Sequence, residues 1–167
     1  MKAFRHLGIT MAIALTSAAI VTSCSSNDDK DTTYPQITAE GITANPVDCQ
    51  NYKRGDIIPV RFMLTDDTEL GDYNIEIHSN FDHHTHSTST AECEGHEEHK
   101  EHHEGSTDAP WHFSQDYTIP AGQRSYMASH DIAIPTDIAT GDYHFTLRLT
   151  DRAGWQQLHA VSIQITE

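Results

Sequence analysis

The residues best suited to chemistry in this sequence are its histidines. There are 13, and nine of them fall between His78 and His112. The same window holds eight Asp or Glu residues and one basic residue, Lys100. Imidazole nitrogens and carboxylate oxygens together suit zinc, and also copper(II) or nickel. The window has two parts. In the first, His78 is followed by Asp82-His83-His84-Thr85-His86. If that run is extended, His84 and His86 share one side and His83 takes the other, so an i, i+2 pair can hold one ion. Asp82 is either a ligand or an acceptor that orients an imidazole. In the second part, Cys93 to Glu104, the histidines are His96, His99, His102 and His103, set among glutamates. This stretch is low in complexity and has no apolar face. It reads as a mobile chelating arm that gathers ions weakly. A solvated acidic loop with incidental histidines is the plain alternative; nine histidines in one window weigh against it.

The rest of the chain must position these groups and deliver them to a compartment. Residues 1–23 read as a signal peptide. Lys2 and Arg5 precede an apolar run from Ile9 to Val21, too short to span a bilayer, which ends at Ser23-Cys24. The following Ser25-Ser26-Asn27-Asp28-Asp29-Lys30-Asp31 is polar and acidic, so residues 24–33 are expected to be a tether that does not fold. Two of the 10 Lys and Arg lie in the leader. The exported chain therefore carries eight against 25 Asp and Glu, a formal charge of −17. That charge disfavours nucleic acid and anionic lipid surfaces as partners and favours cations.

Three cysteines are present. If Cys24 is consumed by lipidation, Cys49 and Cys93 remain. In an exported protein a disulfide is the default for such a pair. It would close a loop worth about 4 kcal/mol in chain entropy. The competing use of Cys93 is as a thiolate ligand within the histidine-rich stretch.

Alternation with period two dominates residues 34–78 and 113–167. Ile58, Val60, Phe62 and Leu64 share a face, as do Tyr73, Ile75 and Ile77, then Tyr143, Phe145, Leu147 and Leu149, then Val161, Ile163 and Ile165. Thr65 to Gly71 and Asp151-Arg152-Ala153-Gly154 are turn material. Seven strands are expected: A (36–43), B (57–65), C (72–78), D (113–119), E (126–134), F (142–150) and G (157–166). The fold class is all-β, an antiparallel sandwich over residues 34–167. The histidine-rich residues 79–112 form an insert between C and D.

Two resemblances add to this reading. Val21-Thr22-Ser23-Cys24 resembles a lipobox, with Val21 where Leu is commoner and Ser23 where Gly or Ala is. The acidic stretch behind it looks like the surface-export tether of Bacteroidetes lipoproteins. The resemblance implies lipidation at Cys24, an outer-membrane anchor and display on the cell surface. Gly55-Asp56 through Ile77, with Gly141-Asp142-Tyr143 and Asp151 to Gly154, resembles the B–C and F–G regions of bacterial immunoglobulin-like domains, including a tyrosine near the start of F. More closely, Ile75 to Ser87 (IEIHSNFDHHTHS) with Gly141-Asp142-Tyr143-His144-Phe145 resembles a Bacteroidetes lipoprotein family of unknown function. In that family a histidine motif follows the third strand; the resemblance supplies no activity.

In an immunoglobulin-like sandwich C and F are antiparallel neighbours. His78 at the end of C should therefore lie near His144 at the start of F. Both stand opposite the core residues of their strands. A rigid metal site of His78 and His144 is expected, completed by His84 or His86. The geometry sets other histidines aside: His159 is expected to be an ordinary surface residue and His130 a partly buried structural one, while His112 beside Trp111 is ambiguous.

These residues imply a surface lipoprotein that captures, buffers or delivers transition-metal ions, zinc first, in concert with an outer-membrane uptake system. The alternative is an adhesion module that binds a protein or glycan, with incidental metal binding. An enzyme is not expected: Asp82 or Glu76 could serve as a base at a metal, but no nucleophile elbow or phosphate loop accompanies them.

Overall fold

The computed structural model describes residues 30–81 and 108–167. These form eight strands and no helix: β1 Gln36–Thr38, β2 Gln50–Lys53, β3 Ile57–Thr65, β4 Leu70–Ser79, β5 His112–Thr118, β6 Ser125–Ala133, β7 Gly141–Asp151 and β8 Gln156–Thr166. They lie in two sheets, ordered β1-β3-β6 and β2-β8-β7-β4-β5. The result is a β-sandwich with the immunoglobulin-like neighbour relations expected from the sequence: β3 beside β6, and β7 between β4 and β8.

Alternation explains which face each strand buries. Ile58, Val60, Phe62 and Leu64 from one sheet meet Ile75, Ile77, Phe145, Leu147 and Leu149 from the other, all 3% exposed or less. Phe62 and Phe145 stack across the interior with ring centroids 6.0 Å apart. Tyr143 is buried at the start of β7, donates its hydroxyl to Ala139 O at 2.6 Å and accepts from Trp111 N at 3.2 Å. This tyrosine near the start of the F-type strand bonds back to the chain just upstream, as such corners do.

Three details differ from the expected strands. Gln50–Lys53 form a strand of their own, parallel to β8, so the larger sheet is mixed rather than wholly antiparallel. Only four residues long, with Tyr52 alone buried, β2 carries too little alternation to be seen. The first strand stops at Thr38, because the chain turns at Ala39–Ile42 around Gly41, whose φ is +73°. The strand after the insert would stand beside E in a constant-type domain; β5 pairs instead with β4 along Asp72–His78. The insert thus joins two neighbouring strands of one sheet.

Gly71 sits where the β4–β7 register shifts, between Leu70 and Asp72. A side chain there would come within 2.8 Å of Thr150 O and 2.9 Å of Asp151 O, so only glycine lets β4 enter the sheet at that bulge. The N-terminal segment also joins the domain earlier than expected. Trp155 Nε1 donates to Asp31 O at 3.0 Å, and Thr33 Oγ1 donates to Asp67 Oδ2 at 2.9 Å.

Candidate metal centre

The outer face of the larger sheet carries a row of three histidines. His78 of β4 is the register partner of His144 on β7 and of His112 on β5. Cross-strand partners on one face project together, with Cβ atoms about 4.5–5.5 Å apart. The rings of His78 and His144 meet edge to face, centroids 5.6 Å apart and planes at 89°. His144 is 1% exposed although it stands opposite Tyr143 and Phe145. His112 lies at the sheet edge, with a side chain 64% exposed. The row therefore runs from a buried imidazole to an accessible one.

Glu76 completes the cluster. It stands two residues before His78, on the same face of β4. Its Oε1 lies 3.3 Å from His78 Nδ1 and 3.5 Å from His112 Nε2. One carboxylate oxygen thus serves two imidazoles. A carboxylate so placed stands where it can orient both rings toward a metal.

Both stems of the insert dock at this end of the sandwich. On the outgoing side, Asn80 N donates to Asp142 O at 2.8 Å, and the Phe81 ring stands edge-on to Tyr143 with centroids 5.5 Å apart. Gly141 makes room: its φ is +137°, and a Cβ there would lie 2.8 Å from Phe81 Cε1. On the returning side, Arg54 pairs with Asp108 at 2.9 Å, Ala109 bridges to Ile138, and Trp111 packs on Tyr143 with centroids 6.3 Å apart. The side chain of Tyr143 lies between the two stems, and burial raises its pKa. Both ends of the histidine-rich stretch are therefore delivered to the edge where His144, His78 and His112 stand.

The sequence expectations divide accordingly. His78 and His144 are brought together. His112, ambiguous in sequence, lies in the same row because β5 pairs with β4. Glu76 was considered only as a base; its i, i+2 relation to His78 was the signal for its place here. Asp82, His83, His84, His86, His96, His99, His102 and His103 lie outside the described residues, as do Cys24 and Cys93. Cys49 is disulfide-bonded, and its φ of 61° places it in the left-handed region.

Two other histidines are structural. His130 is partly buried, as expected: Nε2 lies 2.6 Å from Tyr73 Oη, and its ring stacks on Tyr117 with centroids 3.9 Å apart. His159 is not the surface residue expected. It shares the inward face of Val161 and Ile163 and packs on Phe62, centroids 4.9 Å apart. With Phe62 and Val161 it lines a cavity of about 640 Å³ beside Ile37 and Pro46. The sequence reading failed because His159 obeys the alternation of β8 despite being polar.

No curated protein matches the chain. A family model described as a domain of unknown function (DUF4625) matches residues 22–166, most of the 167-residue chain. The protein is therefore a member of the DUF4625 family.

Proposed function

We propose that this protein binds a transition-metal ion, zinc first and copper or nickel as alternatives, at the row His144–His78–His112. Glu76 orients the rings, and ligands from Asp82, His83, His84 or His86 complete the shell. The single observation that supports this most is the alignment of three imidazoles on adjacent strands around one carboxylate oxygen. Neutral imidazole is zinc's commonest nitrogen donor, and a three-histidine face leaves a fourth position for another ligand. His96, His99, His102 and His103 are a weaker collecting set that raises the local ion concentration. In this reading Cys24 carries a lipid, as in the Bacteroidetes lipoproteins that the leader resembles. The domain is then displayed at the outer membrane, facing outward, and passes its ion to an uptake system.

The test is a zinc competition titration against a chromophoric chelator, comparing wild type with His78→Ala/His144→Ala. The double variant is expected to lose at least about tenfold in tight-site affinity while keeping the weak sites. Unchanged tight binding contradicts the proposal. Chelator-insensitive binding of a protein or glycan would support the adhesion reading instead.

A further inference from the structure

At the opposite end of the sandwich, three carboxylates converge from separate segments. Asp31 precedes β1, Asp66 opens the β3–β4 turn, and Asp151 ends β7. One ligand oxygen from each lies within 4.8 Å of the others. Asp66 is 9% exposed and Asp151 4%. The hydrogen bonding is lopsided in the same way in all three. Asp31 Oδ1 accepts from Thr33 N at 2.9 Å. Asp66 Oδ1 accepts from Thr68 N at 2.9 Å and Glu69 N at 2.7 Å. Asp151 Oδ1 accepts from Trp155 N at 2.8 Å. In each residue Oδ2 is buried and has no hydrogen-bond partner. Among the described residues, no Lys or Arg forms an ion pair with any of the three.

Buried carboxylates are ordinarily paired or bound to a metal. Here the backbone N–H groups hold Oδ1 of each and leave Oδ2 uncommitted, in three residues that each place a carboxylate oxygen within 4.8 Å of the others. We propose that Asp31, Asp66 and Asp151 bind a calcium ion. The donor set is all oxygen and hard, which suits calcium or magnesium and not the zinc, copper or nickel suited to the histidines. Calcium accepts irregular shells of oxygens at about 2.3–2.6 Å, completed by water or carbonyls, whereas magnesium demands a near-regular octahedron. Three carboxylates on three different segments fit the former. The ion clasps the N-terminal segment to the β3–β4 and β7–β8 turns, and so orients the domain relative to whatever precedes Lys30. From His144 to Asp151 along β7 is about 24 Å, so this site is separate from the histidine row and does not depend on that reading.

Trp155 supplies the probe, since its indole nitrogen bonds to the backbone of Asp31 itself. Terbium(III) added to the protein is expected to give tryptophan-sensitised emission that calcium displaces. Calcium at saturation is expected to raise the melting temperature by roughly 10 °C. Asp66→Asn and Asp151→Asn should abolish both effects, and His78→Ala/His144→Ala should keep them. Asp31→Asn, outside both sheets, carries the test if either other variant does not fold. Calcium titrated to about 10 mM, beyond the range of weak extracellular sites, with no thermal shift overturns the proposal. So does a shift that persists unchanged in the Asp variants.

Discussion

His78 and His144 face each other across β4 and β7 with their rings edge to face, 5.6 Å between centroids. One is reached from the sheet edge through His112; the other is nearly sealed from solvent. A metal held between them would be fixed by two neighbouring strands of a five-stranded sheet, a far stiffer support than any loop.

Glu76 tests whether that stiffness extends to ring orientation. Glu76→Gln keeps the size but removes the charge shared by His78 and His112. Zinc affinity is expected to fall about 10-fold, with melting temperature little changed. A chelator competition titration reads the first and calorimetry the second.

Metal binding should also report its ligands through pH. Imidazoles titrate near 6.5, so zinc affinity is expected to weaken steeply from pH 7 to 5. Carboxylate ligands alone would leave binding almost flat over that interval. Titrations at three pH values distinguish the two.

Stability in the absence of metal has its own pH dependence. Burial holds the imidazole of His130 below its ordinary pKa, and the Arg61 guanidinium adds to this. Burial does the same to His159. Tyr73, its phenol kept protonated by burial, shares a hydrogen bond of 2.6 Å with His130 Nε2. Below about pH 6.5 the unfolded chain binds protons that the folded one resists, so folding stability falls with pH. The contribution is complete above 6.5 and is lost progressively towards the lowered folded values. Thermal unfolding in chelator at pH 7.5 and 5.5 should show the loss, and His159→Gln should reduce it.

Tyr143→Phe removes the hydroxyl that bonds Ala139 O and Trp111 N. Two buried backbone groups lose their partner, at a cost of about 1–3 kcal/mol. The melting temperature is expected to fall by several degrees. Zinc affinity should fall as well, because the returning stem of the insert loses the bond that holds Trp111 N.

Period-two alternation made most of the sandwich legible, since each long strand buries one face. That parity also led from His78 to His144, given C and F as neighbours. What it could not reveal was pairing without a face to bury. β5 has no fully buried residue, so nothing in its sequence says which strand it joins, and His112 stayed ambiguous. β2 is held largely by backbone pairing to β8. Asp31, Asp66 and Asp151 are ordinary tether and turn residues in sequence; only the meeting of three segments makes them a cluster. His159 was set aside for its distance from His144, which says nothing about the face of β8 it occupies; it shares the inward face with Val161 and Ile163.

The most direct test of the account is metal analysis of tag-free protein, comparing wild type, a deletion of residues 94–104 and His78→Ala/His144→Ala. Wild type and the deletion are expected to retain one tightly bound zinc each, and the double variant none. Loss of all tight metal from the deletion, with the double variant unaffected, would contradict the placement of the site on the β4–β7 pair.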